Sequence, residues 1–385
     1  MTEKLYDKDA YLSEFSATVV DCIPAEGGYD VILDRTAFFP EGGGQYGDRG
    51  TLQGVAVTDT QIKDGVIFHR TAAPLTVGDR VEGALDWPER FRRMQNHSGE
   101  HIVSGIICRR FGCDNVGFHL SDGEMTMDYS ATLTAEDLAS VEEEANRALW
   151  ENRRILCEYP SEDGLKTLEY RSKKELTEAV RIVTVEGIDV CACCAPHVRQ
   201  TGEIGCIDIV DFMRWKGGTR ITVRCGADAY AGYRALKNDE KGLSALFSAP
   251  RGEIFSAAEK TLKDYADLRR LYGQVLKENA ILHLEKLPIF DDNFCFLLPT
   301  EDNDAMRTAA NEGIKKCPGV FVCLSGSDAA GYRYVVASSK PGLRARAKEI
   351  NAALSGRGGG SDTMIQGTFS ATEAQIRDYF KEFTI

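Results

Sequence analysis

Two short histidine-bearing stretches, far apart in the chain, narrow what it can fold into more than any other feature. The first is Asn96-His97-Ser98-Gly99-Glu100-His101, which runs straight into the apolar segment from Ile102 to Cys108. On a helix, positions i and i+4 share one face, so both imidazoles converge on one point. Asn96 reads as the N-cap, and the apolar residues that follow read as the anchoring face. The second stretch is Cys191-Ala192-Cys193-Cys194-Ala195-Pro196-His197, where Cys193 and His197 repeat the four-residue spacing. Either pair alone is compatible with ordinary packing. Together they offer the mixed nitrogen and sulfur donors that zinc favours. The 92-residue step from His101 to Cys193 is too long for a small finger module, so a folded domain must close the site.

At 385 residues the chain has material for two or three domains. It contains no apolar run of 18 residues, and its first residues, Met1-Thr2-Glu3-Lys4, lack a signal-peptide core, so a cytoplasmic location is expected. The twelve cysteines then read as thiols or metal ligands rather than a disulfide framework. The net charge of −13 is uneven. Residues 1–235 carry 26 basic against 39 acidic side chains, whereas residues 236–385 carry 20 of each. This argues against a sequence-blind grip on a long polyanion, which needs many cationic contacts. Local basic patches remain available, notably Arg90, Arg92 and Arg93, or Arg214, Lys216, Arg220 and Arg224.

The hydropathy pattern predicts an α+β chain. Residues 1–88 read as a small N-terminal β-barrel of short strands, interrupted by the glycine-rich Pro40-Glu41-Gly42-Gly43-Gly44-Gln45-Tyr46-Gly47. Residues 89–234 read as a mixed α/β domain holding both histidine pairs. Residues 235–285 read as an amphipathic helical connector, suited to a homodimer seam or to a simple packed helix. Residues 286–385 read as a small C-terminal α/β domain, the alternative seat of a homodimer contact, with a glycine-rich loop over Gly356–Asp362. Tight turns or close backbone approach account for such glycines, and no phosphate-loop motif is present.

The segment Thr36–Gly50, the His97/His101 pair, and Cys193–His197 followed by Thr201-Gly202-Glu203-Ile204-Gly205 occur in that order. In this the chain resembles the editing domain of alanyl-tRNA synthetase and the free-standing AlaX alanyl-tRNA editing proteins. The stretch Gly356–Gly367 resembles the DHH-associated C-terminal domain of the long AlaX form. One departure stands out: the family's second motif usually reads Cys-Gly-Gly-Thr-His, against Cys-Cys-Ala-Pro-His here. That leaves Cys193 and Cys194 both open as the sulfur ligand. The resemblance implies an ATP-independent hydrolase that deacylates mischarged tRNA(Ala), chiefly Ser-tRNA(Ala), with Gly-tRNA(Ala) as a second substrate. It implies Zn2+ on His97, His101, Cys193 and His197, with Glu100 behind the ligands. It also implies substrate recognition by Thr36, Gln45, Gly43 and Gly44, and tRNA contact by Arg92, Arg93, Arg357, Gly359 and Gly360. If all four side chains ligate at once, a tetrahedral zinc keeps no open position, so a weak ligand, an expanded shell or a water activated elsewhere stay open.

Two rivals arise from the same residues. His97–His101 also satisfies the inverted zinc-peptidase signature His-x-x-Glu-His, in which Glu100 would be the base; that class, however, takes a downstream carboxylate, where this chain offers a Cys/His pair. A non-catalytic zinc protein that binds tRNA or dimerises would carry the same ligands and hydrolyse nothing.

Overall fold

A computed structural model describes residues 2–121, 123–172 and 180–385, which divide into two units, Met1–Lys241 and Gly242–Ile385. The class is mixed α+β. In the first unit, six strands pair in the order Glu14–Ala25, Gly28–Leu33, Val66–Thr71, Val55–Lys63, Gly50–Leu52 and Arg80–Leu85, and the last pairs back onto the first. Burial alternates along these strands, as a closed sheet demands: inward residues such as Val19, Val31, Leu33, Leu52 and Val81 fill its interior.

The helix Trp87–Phe111 follows. Asp86 caps it by accepting a hydrogen bond from the Glu89 amide, and Pro88 occupies its first turn. The cap expected at Asn96 is therefore wrong by ten residues. Asn96 lies mid-helix, fully buried, donating to Asp228 and accepting from the Cys225 amide. From Met94 to Ile107 this helix is buried on every side, because sheets flank it on more than one face. One sheet orders Ile207–Trp215, Gly218–Cys225, Met125–Tyr129 and Asn115–Leu120; the other orders Ile155–Glu158, Ile182–Val185 and Asp189–Ala192. Met94, Ile102, Val103, Ile106 and Ile107 supply its share of the core, against Met125, Met127, Val183, Val185, Ile221 and Val223. The second helix of this region, Ala135–Trp150, begins with a reciprocal capping box between Thr134 and Asp137.

The helical connector is two helices, Ala227–Phe247 and Ile254–Glu285, broken around Pro250 and Gly252. In the second unit a five-stranded sheet orders Phe294–Leu297, Val320–Ser327, Gly331–Ser338, Met364–Phe369 and Gly356–Gly360. Here the glycine-rich loop expectation fails, since Gly356–Gly360 is an edge strand. A side chain at Gly358 would collide with the Gln366 carbonyl and the Tyr334 hydroxyl, so glycine is what lets this strand lie against its neighbour. Among the described residues, no helix is long and apolar enough to cross a membrane.

Candidate metal centre

His97 and His101 project from one face of the buried helix, and the turn Cys193–His197 brings two more donors against them. One ligand atom from each of His97, His101, Cys193 and His197 lies within 4.8 Å of all the others. Cys193 Sγ stands 3.5 Å from His97 Nε2 and 3.4 Å from His197 Nε2. The His101 and His197 ring centroids are 4.7 Å apart. Arg181 braces the turn from behind, donating to the Cys193 and Ala195 carbonyls. Cys194 is exposed, and its Sγ lies toward Gly43 of the glycine-rich loop.

The other nitrogen of each imidazole is engaged. His97 Nδ1 lies 3.0 Å from Gln45 Oε1, His197 Nδ1 lies 3.0 Å from Ser98 Oγ, and His101 Nδ1 lies 2.9 Å from Asp189 Oδ2. A carboxylate or carbonyl oxygen can only accept, so Nδ1 of His97 and of His101 carries the proton and Nε2 presents its lone pair. This is how metal-binding histidines are oriented. Arg171 in turn grips Asp189 through Nε at 2.7 Å and Nη2 at 2.8 Å. Burial would raise the Asp189 pKa, but the hydrogen bonds from His101 and Arg171 outweigh it and hold the carboxyl below its usual range. Burial, reinforced by His101 and His97, pushes His197 well below an ordinary histidine, and burial pushes the Cys193 thiol up. Three buried imidazoles and one half-buried thiol, facing one another, fit a soft-to-borderline divalent cation. A second grouping, His101 with Asp189 and Cys191, shares His101, but its carboxylate is already committed to Arg171.

Glu100 is not solvated. It is buried, with Oε1 accepting from Ser104 and Asn115 at 2.8 Å each and Oε2 lying 3.8 Å from His101 Nε2. Gln45 is buried too, and its Nε2 has no hydrogen-bond partner. The loop that carries it is a tight turn, Gly42 and Gln45 exchanging backbone hydrogen bonds. Gly44, at φ +83°, lies so close to Phe118 that a side chain there would clash; its carbonyl accepts from the Leu120 amide. Asp48 and Arg90 tie this loop to the histidine helix. Their buried ion pair is completed by donation from the Phe39 amide to Asp48 and from Arg90 to the Ala37 and Ala10 carbonyls.

Other sequence expectations fall elsewhere. Thr36 is buried with its hydroxyl 2.8 Å from His69 Nε2 and 3.1 Å from the Phe38 amide, partners outside the His/Cys cluster. Arg93 is enclosed, bonded to Glu89 and to the Tyr46 and Gly47 carbonyls, and Arg92 pairs with Asp228. Arg93 thus serves the interior, while Arg92 stays partly exposed beside Asp228. Arg357, Gly359 and Gly360 lie on the edge strand of the second unit, with Arg357 exposed. Sequence reasoning missed Asp189, Ser98, Arg171 and Arg181.

Comparison with known proteins bears on this site. Residues 10–89 match the family model described as tRNA synthetases class II (A), and residues 180–226 match the threonyl and alanyl tRNA synthetase second additional domain. The alanyl-tRNA editing protein AlaX-L of Pyrococcus horikoshii is 29% identical, covering 98% of this chain and 97% of that protein. The alanyl-tRNA editing protein Aarsd1 of Rattus norvegicus is 26% identical, covering 98% and 97%. An alanine–tRNA ligase of Halobacterium salinarum is 30% identical over 87% of this chain but 38% of the ligase. Over nearly its whole length, then, the chain is similar to free-standing alanyl-tRNA editing proteins.

Proposed function

We propose that this chain is a trans-editing hydrolase that deacylates mischarged tRNA(Ala), chiefly Ser-tRNA(Ala) and secondarily Gly-tRNA(Ala), at a zinc ion held by His97, His101, Cys193 and His197. The observation that carries the reading is the convergence of those four donors, each histidine oriented through its other nitrogen. Bound zinc would supply positive charge to polarise the ester or to acidify a water. The chain's own groups do the rest. Gln45 Nε2, a buried donor without a partner, is the group that a substrate oxygen would satisfy. Glu100 Oε2, turned toward His101, is the carboxylate placed to hold a proton during ester cleavage. Thr36 would favour serine over alanine through the one remaining lone pair of its hydroxyl, which already donates to His69 and accepts from the Phe38 amide. Division of labour follows the sequence domains: the barrel and the mixed domain form the site, the C-terminal domain holds tRNA through the strand bearing Arg357, and the connector serves self-association.

The test is a deacylation assay on Ser-, Gly- and Ala-tRNA(Ala), with the chain as expressed, after chelation, and as Cys193→Ala. Hydrolysis of the serine ester with the alanine ester spared, lost on chelation and in the variant, is expected. A zinc-loaded chain that binds tRNA but hydrolyses none of the three would leave the non-catalytic reading in its place. Thr36→Val should lower the serine preference, and unchanged discrimination would remove Thr36 from the pocket.

A further inference from the structure

Beside the metal centre stand two aromatic rings that take no part in orienting the four donors. Tyr46 follows Gln45 directly in the glycine-rich loop, and 40% of its surface faces water. His119 is exposed on Asn115–Leu120, the edge strand of its sheet. The two ring centroids lie 6.0 Å apart with their planes at 79°, so the rings form a corner. Both supports are fixed. Gly42 and Gln45 exchange backbone hydrogen bonds, and the Tyr46 carbonyl accepts from Arg93. The Gly44 carbonyl accepts from the Leu120 amide, which staples the loop to the strand. The corner adjoins the donors on both of its sides. Gln45, next to Tyr46, reaches His97 Nδ1 at 3.0 Å, and the Phe118 ring, next to His119, is centred 4.9 Å from the His97 ring.

We propose that this corner takes the terminal base of the esterified RNA, laid flat on Tyr46 and met edge-on by His119. The inference rests on the deacylase reading and adds a binding residue to it. Reach is the first argument. An aminoacyl ester is made by a hydroxyl of the last ribose, and the base hangs from a nearby carbon of the same sugar. With the ester at the four donors, the base must lie within one nucleotide of His97, where Tyr46 and His119 stand. Charge is the second. Residues 1–235 carry 26 basic against 39 acidic side chains, an excess that disfavours a grip made of phosphate contacts. Arg90 and Arg93 on the histidine helix are committed to the interior. Stacking needs no charge, because every base offers a π-face to an aromatic ring. Rigidity is the third. A ring held on a stapled loop loses little freedom when a ligand settles on it.

Calorimetric binding to the full chain loaded with zinc tests this with two non-hydrolysable probes. One is the seryl amide of 3′-amino-3′-deoxyadenosine, and the other is the same amide on a ribose without a base. The wild type should prefer the base-bearing probe by about tenfold or more, the worth of one stacked base. Tyr46→Ala should remove that preference while leaving the base-free probe bound as before. It should also raise KM for Ser-tRNA(Ala) about tenfold with little change in kcat. Tyr46→Phe keeps the ring and should behave as the wild type. A wild type that binds both probes alike, or a Tyr46→Ala chain that keeps the preference, would overturn the proposal. So would equal weakening of both probes by Tyr46→Ala, which is what a merely structural tyrosine gives. A chain that shows the expected binding pattern yet hydrolyses no serine ester would leave the corner standing and remove the deacylase reading.

Discussion

Acidification should destabilise the first unit through one residue, His69. Its ring is fully buried inside the closed sheet, where Nδ1 donates to the Val31 carbonyl at 2.9 Å and Nε2 accepts from the Thr36 hydroxyl at 2.8 Å. The bond from Thr36 requires neutral imidazole, because a protonated ring has no acceptor to offer it, whereas the bond to Val31 survives protonation. Burial pushes its pKa down to about 4, against an ordinary 6.5, and the bond to Val31 offsets only part of this. With the folded value below the unfolded one, the unfolded chain takes up the proton first. Stability is therefore complete above about pH 6.5, falls as pH drops, and stops falling on this account below about pH 4. A tenfold difference in proton affinity between the two states is worth about 1.4 kcal/mol, so the loss reaches about 2 kcal/mol at pH 5 and about 3 kcal/mol at its limit. In a unit of this size that corresponds to roughly 4–8 °C of melting temperature at pH 5. The assay is denaturant unfolding of the wild type and of His69→Gln at pH 8 and pH 5, taking the difference of differences so that the other titrating groups cancel. The variant should lose about 2 kcal/mol less than the wild type between the two pH values. Equal losses in the two proteins, or an NMR titration placing the His69 pKa near 6.5, would refute the reasoning.

Other perturbations should act as follows. Asp48→Ala strips the buried Arg90 of its counter-charge and should cost about 3–5 kcal/mol, whereas Asp48→Ala with Arg90→Met should recover much of that; thermal melts of the single and double variants decide it. Asp189→Asn breaks the grip of Arg171 and frees His101 to turn, so zinc affinity should fall about 10–100-fold in chelator competition, with the fold retained by circular dichroism. Zinc uptake near neutral pH should release one proton from the Cys193 thiol, which burial keeps protonated; calorimetry in buffers of different ionisation enthalpy counts it, and Cys193→Ala should abolish the release.

The parts of the site legible in sequence were those set by local geometry. The four-residue spacing of His97 and His101 survives translation into any helix, and Cys193 with His197 could be matched to it from ligand chemistry alone. What orients the rings was hidden. Asp189, Ser98 and Gln45 meet the histidines only after the barrel, the buried helix and the three-stranded sheet have docked, and no sequence period encodes those meetings. The misplaced cap has a local lesson. Asp86-Trp87-Pro88-Glu89 carried the stronger start signal, but Asn96 stood nearer the feature of interest. The arginines before the histidines were misread for a different reason. Charge is ordinarily a mark of surface, yet Arg90 and Arg93 lie on the enclosed side of a helix surrounded by protein. In the C-terminal unit, glycine content suggested a loop because it erases strand propensity; what decided the outcome was steric room beside Gln366 and Tyr334.

The pairings that build the metal centre span 52, 88, 96 and 99 residues of sequence. A site held by such long closures cannot exist in any short fragment of the chain. Loop-closure entropy makes these contacts costly until the surrounding sheets reward them. During synthesis the two helical histidines leave the ribosome long before Cys193 and His197, and until then they are a pair without a sulfur. Metal capture by the four donors would therefore come at the end of folding of this unit, and loading would itself report that the barrel, the helix and the last turn have been assembled correctly.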